Sequence, residues 1–347
     1  MSQTLRSVGA GAEDTVRSVS KLSVQFSVPG GYRILRISRT FAAGLCALVL
    51  ALTAAGGAGA EERKLSVVCS LFPQYDFVRQ IAGDHASVRM LLPPGVESHT
   101  FEPRPSDMKT LNDADVFVFT GKYMEPWAER IVQSLDNKKL VVVDASLGVA
   151  LQKEPDHEDH DEHGNTHHHH HEYDPHIWLD LSLAQRMVDN IATGLSAADP
   201  EHADLYAKNA EAYKARLAEL DAEFASIVKK GRHRTLVFGG RFAYLYFLKH
   251  YGLNYVTAYD TCSSEGEPGV QRITQVIQYI KKKDIRCIFH EEFVVPKVAQ
   301  SIAEQTGAKL LTFSTAHNLT KDEFEKGVTF LDIMKANRDS VEQALTL

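Results

Sequence analysis

Four cysteines in 347 residues leave little room for thiol chemistry. Cys46 falls in an apolar run near the start, so only Cys69, Cys262 and Cys287 remain beyond it. That odd number permits at most one internal disulfide in an oxidising compartment. Cys69 and Cys287 sit inside strand-like apolar runs and read as small buried hydrophobes. A basic patch is also missing. With a net charge of -7 and no basic patch standing out to neutralise phosphates, nothing supports nucleic-acid binding. No HExxH helix, Ser/His/Asp arrangement or convincing carboxylate pair is present, so the common hydrolase signatures are absent.

Long hydrophobic runs are missing too. FAAGLCALVLALTAA, residues 41–55, is about fifteen residues long and too short for a comfortable membrane span. Arg33, Arg36 and Arg39 precede it and small residues follow, the pattern of a secretory signal peptide cleaved after Ala60. Residues 1–60 are therefore read as signal peptide and N-terminal extension, and the mature protein as periplasmic or otherwise extracytoplasmic. A retained membrane anchor is the alternative. Bulky Leu45 before Cys46 argues against a lipid-bearing cysteine, and the 32 residues before Arg33 are long for a leader, which suggests a downstream start.

What the mature chain does have is two βα series. LSVVCSL (65–71), VRMLLP (88–93), DVFVFTG (115–121) and LVVVDAS (140–146) are short Val- and Leu-rich runs, with helical segments at 74–83 and 105–114 between them. TLVFGG (235–240), NYVTAYD (254–260), RCIFHEE (286–292) and KLLTFST (309–315) repeat the scheme, with helices near 242–251, 270–283, 296–306 and 321–344. Strands alternating with helices predict parallel sheets covered on both faces. Between the series, Tyr206, Ala210, Tyr213, Leu217, Leu220, Phe224 and Ile227 alternate at spacings of four and three, the apolar stripe of one long helix entered at Asp199-Pro200. The expected fold class is α/β. It has an N-terminal lobe (61–200), a stiff connecting helix (201–230) that limits hinge motion, and a C-terminal lobe (231–347).

Histidine is the residue in surplus. Nine of the 16 fall between positions 157 and 180. Residues 153–172 carry no apolar periodicity and are almost all His, Asp, Glu and Gly, so they read as a flexible loop. His157, His160, His163, His167, His168, His169, His170 and His171 offer shifting coordination sets without a scaffold, an auxiliary collecting or sensing role for metal. A solvated polar spacer, or a purification tag, is the bland alternative. His176, in YDPHIWLD, is different, because Pro175 and the apolar Ile177 and Trp178 can hold it rigid. His99, in PPGVESHTFEPRPSD (93–107), lies on a loop leaving the second strand. Open α/β sheets bind ligands outside the carboxyl ends of their strands.

PPGVESHTFEPRPSD, GKYMEPWAER and YDPHIWLD together resemble the signature segments of the metal-binding, extracytoplasmic solute-binding proteins of ABC transporters, the zinc/manganese cluster A-I. The resemblance runs from about residue 65 to 345. It implies a cleft between two lobes that binds one divalent cation and passes it to a membrane permease, and it assigns His99 and His176 as the two N-lobe ligands. The second half departs from the family pattern. Arg241 stands where His or Glu is common, and Ser314 where a late Asp is common; a guanidinium cannot ligate a cation. His317, on the loop after the last strand, is the expected replacement, though Asn318 and Thr320 beside it also suit a helix entry. Glu291 either completes the coordination shell or pairs with Arg241, as Glu265 or Glu97 could.

The expected function is capture of Zn²⁺ by a monomeric ABC-importer component, Mn²⁺ being disfavoured by imidazole-rich ligands, with nickel or copper also open. A secreted zinc hydrolase is one alternative, since three histidines with an open position also describe some catalytic zinc sites. A surface adhesin is the other.

Overall fold

The fold is described from a computed structural model, which covers residues 63–154, 173–259 and 268–347. The expected signal peptide, all eight histidines of the 157–171 stretch, Cys262 and Glu265 lie outside the described residues. Lys64–Leu347 forms one compact unit.

The first half runs β1 (Leu65–Cys69), α1 (Phe72–Ala82), β2 (Ala86–Met90), α2 (Pro105–Asn112), β3 (Val116–Phe119), α3 (Ala128–Ser134) and β4 (Val141–Asp144), then a two-residue hairpin of β5 (Gln152–Lys153) and β6 (Tyr173–Asp174). Helices α4 (Leu181–Ala198) and α5 (Ala203–Lys230) follow. The second half runs β7 (Thr235–Phe238), α6 (Leu245–His250), β8 (Asn254–Thr257), α7 (Val270–Lys283), β9 (Cys287–His290), α8 (Lys297–Thr306), β10 (Lys309–Thr312), α9 (Lys321–Glu325) and α10 (Phe330–Thr346). Each half holds a four-stranded sheet, ordered β2-β1-β3-β4 and β10-β9-β7-β8, and every pairing within them is parallel.

Strand periodicity explains the layering. Alternate residues of a strand face opposite sides of its sheet. Val67, Cys69, Val116 and Val118 point into one large core that also contains Trp178, Phe224, Phe238, Phe289 and Phe313, residues of both halves. Val68, Phe117 and Phe119 point the other way, onto Leu111 and Trp127. In the second sheet Val237 and Ile288 face Val276, Ile280 and Ile302 on its outer side. The central strands of each sheet are thus covered on both faces and read as continuous apolar runs.

Helix α5 buries its expected stripe and packs against α1, α4 and α10, elements from both ends of the chain. At 28 residues it is about 42 Å long. Asp76 of α1 reinforces the joint: its Oδ2 accepts from the Phe330 N–H at the start of α10 (3.0 Å) and from the Tyr213 hydroxyl of α5 (3.3 Å).

Two expectations need correction. The second strand is Ala86–Met90 rather than 88–93, because β2 is an edge strand whose Ser87 and Arg89 point away from the core, while Leu91 and Leu92 lie beyond it. The last helix is two helices. Gly327 adopts φ +70°, and Thr329 caps the new helix by accepting from the Asp332 N–H, so the chain turns between α9 and α10.

Candidate metal centre

Three loops at strand carboxyl ends each deliver one imidazole. After β2, the loop bends where Glu97 accepts from the His99 N–H (3.0 Å), the Thr100 N–H (2.9 Å) and the Thr100 hydroxyl (3.0 Å). After β6, Asp174 Oδ1 accepts from the His176 N–H at 2.8 Å and faces its Nδ1 at 2.7 Å. The 3-10 turn Ile177–Leu179 that follows is fully buried, and Asp180 caps α4 by accepting from the N–H groups of Ser182 and Leu183. After β10, Ala316 takes φ +57°, an uncommon conformation for a residue with a side chain, and this turns His317 inward.

The second-half loop is tied to the first half by main-chain bonds and by one side-chain amide. Gly95 N–H donates to the Leu319 carbonyl (2.7 Å), Phe72 N–H to the His317 carbonyl (3.2 Å), and Asn318 Nδ2 to the carbonyls of Pro93 and Val96 (2.8 and 2.9 Å). Trp178 Nε1 donates to the Thr315 carbonyl at 2.8 Å, and its ring stands 5.2 Å from that of His317 and 5.4 Å from that of His176.

The result brings His99, His176 and His317 together, with one ring nitrogen from each lying within 4.8 Å of the others. His99 Nε2 and His176 Nε2 are 3.4 Å apart. Tetrahedral zinc with nitrogen ligands near 2.05 Å needs about 3.3 Å between ligand atoms, so this pair already has the spacing. Tautomers can be argued from partners. An ionised Asp174 only accepts, so His176 Nδ1 carries the proton and Nε2 its lone pair. The Thr315 hydroxyl donates to Glu292 Oε1 (2.6 Å), so it accepts from His317 Nδ1, which leaves the His317 Nε2 lone pair pointing inward. That atom is buried and has no hydrogen-bond partner. Burial, and then the neighbouring His176 and His99, hold the His317 pKa well below the ordinary imidazole value, so this ring is neutral at pH 7. A cluster of buried lone pairs with an orphaned acceptor is a donor set for a cation.

The other candidate residues sit beside this cluster rather than in it. A cavity of about 160 Å³ opens next to His99 and His317 and is lined also by Glu97, Arg241, Glu291 and Glu292. Glu291 Oε2 accepts from the Arg241 backbone N–H at 3.1 Å, and its carboxylate is not among the three converging groups. Gly240 leaves room for that carboxylate, because a Cβ there would lie 1.7 Å from Glu291 Oε2 and displace it. The Arg241 guanidinium forms no ion pair among the described residues. Ser314, where the resemblance expects an Asp, exchanges hydrogen bonds with Asn337 instead.

Two supporting residues are invisible to motif reading, Thr315 and Glu292 behind His317, whereas Asp174 behind His176 lies inside the YDPHIWLD segment without having been singled out. The Glu of GKYMEPWAER has a different role. Glu125 is fully buried and accepts from the Ser70 hydroxyl and the Thr120 and Gly121 N–H groups, binding the ends of β1 and β3 together. Burial pushes its pKa up to about 7.

Residues 67–344 match the family described as zinc-uptake complex component A, periplasmic (ZnuA). The chain belongs to this family. It is 35% identical over 290 residues to the high-affinity zinc uptake system protein ZnuA of Bacillus subtilis, an alignment covering 84% of this chain and 90% of that protein. It is 32% identical over 306 residues to the zinc-binding lipoprotein AdcA of Streptococcus pneumoniae, covering 87% of this chain but only 59% of the relative. The solved structure of the ZnuA-like domain of AdcA, in a Zn(II)-bound state, superposes with a TM-score of 0.69 at 28% identity, covering 82% of this chain and 100% of the domain. The metal-dependent lipoprotein YcdH of Bacillus subtilis gives 0.70 at 33% identity, with the same two coverages. The two-lobed, parallel-sheet architecture expected from the resemblance is therefore that of the ZnuA-like proteins.

Proposed function

We infer that this chain captures Zn²⁺ outside the cytoplasm, in the gap between its two sheets, and delivers it to an ABC-type permease for import. The observation that carries the reading is the convergence of His99, His176 and His317. Two of these imidazoles have their Nδ1 atoms occupied, which aims their Nε2 lone pairs at one point. Hydrogen bonds behind metal-binding histidines fix tautomer and orientation in this way. Neutral nitrogen donors favour zinc over manganese. The named relatives, a zinc uptake protein and a zinc-binding lipoprotein, support the same cargo.

Helix α5 and the bonds between the 93–99 and 315–319 loops suit a protein that releases its cargo through loop movement rather than wide lobe opening. The histidine-rich 157–171 stretch would add weak sites that raise metal encounter.

The test is calorimetry on a protein lacking residues 157–171. It should retain one tight zinc site per chain. His99→Ala, His176→Ala or His317→Ala in that background should each weaken it by more than about 100-fold, beyond what loss of a supporting residue costs. Undiminished zinc uptake by the His99→Ala and His176→Ala variants would overturn the assignment.

A further inference from the structure

Three neutral imidazoles leave a zinc ion one ligand short of tetrahedral, with both its charges uncompensated by direct ligands. The cavity beside them has room for more than a water. A water needs about 10–15 Å³ of such space, and the cavity offers about 160 Å³. Its wall carries one cation, Arg241, positioned by the Glu291 carboxylate at its backbone N–H. Each lining carboxylate accepts hydrogen bonds from the protein and none is among the groups that converge with the histidines. Glu97 accepts three bonds within its own turn, Glu291 accepts from the Arg241 main chain, and Glu292 accepts twice from Thr315. Among the described residues none forms an ion pair with the guanidinium. A guanidinium lining the same small cavity as a dication is repelled by it, and an anion between them adds an attraction to each that offsets the single repulsion. Carboxylate is the shape that matches the guanidinium fork.

Resting on the three-histidine reading, we propose that the fourth zinc position is filled from solution by a small carboxylate held between the metal and Arg241. The chain then takes up zinc as a ternary complex with a low-molecular-weight carboxylate. Val96, Phe293 and Val294 at the cavity are partly exposed apolar side chains and suit the carbon skeleton of such a molecule. Glu97, Glu291 and Glu292 disfavour a multiply charged anion, so a monocarboxylate is the fitting class. It could arrive free, as acetate does, or already bound to the metal through a second donor, as glycine does.

The full chain loaded with one equivalent of Co²⁺ provides the readout, because its visible d–d bands report the ligands directly. Titration with acetate or with glycine should shift the bands saturably, and saturating carboxylate should tighten zinc binding by about tenfold, a typical coupling between two ligands. A response to both probes supports a free anion, and a response to glycine alone supports delivery as a chelate. Either response should vanish in Arg241→Ala at the same concentrations and be weaker in Arg241→Lys. No band shift with either probe would overturn the proposal, as would an equal shift in Arg241→Ala. If the chain takes up no first equivalent of metal, the three-histidine reading falls and this proposal with it.

Discussion

His317 and His250 both lie where the two halves of the molecule meet, yet the fold uses them in opposite ways. His317 has a threonine hydroxyl at Nδ1, other imidazoles around it and no partner at Nε2. His250, the last residue of α6, has a carboxylate at each nitrogen: Asp180 Oδ2 at 3.2 Å and Asp221 Oδ1 at 2.9 Å. Those hydrogen bonds, from Asp180 first and Asp221 second, push the His250 pKa up to about 10. Although burial works against it, contact with His250 in turn holds both aspartates below the usual carboxylate value. One histidine is kept neutral and available to a cation; the other is kept charged and serves as the cation. His250 clamps α6 of the second half to the cap of α4 and to α5, and Asp180 ends the same YDPHIWLD segment that carries His176. What stands at its two nitrogens therefore separates a histidine left open to a cation from one that acts as a clamp.

Outside the three histidines themselves, the largest effects should come from altering what stands behind their rings. Asp174→Ala removes the acceptor at His176 Nδ1 and should weaken zinc binding by about 10–100-fold, and Thr315→Val should do the same through His317. Calorimetry reads the affinity, and an unchanged far-UV spectrum separates loss of aim from unfolding. A Thr315→Val protein binding zinc at full strength would show that His317 needs no such support, and the contrast with His250 would narrow to charge alone.

An intermediate effect is expected at the clamp. His250→Gln keeps hydrogen-bonding capacity but loses the charge, and should cost about 2 kcal/mol at pH 7, allowing for partial exposure of the site. The sign follows from the raised pKa. This stability is fully present below about 6.5, the imidazole value without partners, and is lost as pH rises through about 10. Thermal melts of the unaltered protein should therefore fall across that alkaline range, and those of His250→Gln should be flatter. Zinc affinity at pH 7 should change far less than in Asp174→Ala; an equal loss would make His250 part of the metal site.

Much of this was legible in the sequence. Central parallel strands are apolar on both faces, so β1, β3, β7 and β9 stood out as apolar runs, the edge strand β2 was placed two residues late, and the α5 stripe gave its helix. Pro-flanked loop histidines pointed to His99 and His176, and a loop position after the last strand pointed to His317. What stayed hidden was pairing across distance. Thr315 and Glu292 are 23 residues apart, and Asp180 and His250 belong to different halves. Nothing local marks Asp221 as a histidine partner rather than an exposed helix residue. The break at Gly327 was missed because the apolar pattern of α9 and α10 runs on across it.

The smallest effect concerns the cost of keeping His317 neutral. Its pKa in the folded chain lies well below the 6.5 of an imidazole without partners, chiefly through burial. Protons therefore bind the unfolded chain more readily, and the metal-free protein should lose stability as pH falls below about 6.5. The orphaned Nε2 adds a desolvation penalty at every pH. His317→Leu removes both, at the expense of the Thr315 contact. The metal-free variant should then be more stable than the parent by about 1 kcal/mol at pH 5, with a smaller gain at pH 7. Added zinc should reverse the ranking at pH 7, because a ligand at 100 times its Kd stabilises the parent by about 2.7 kcal/mol and leaves the variant nearly unchanged. Denaturant melts at the two pH values, with and without zinc, give all four numbers. If metal-free His317→Leu is the less stable protein at pH 5, the imidazole is held in place by packing that it contributes, and its neutrality is no burden on the fold.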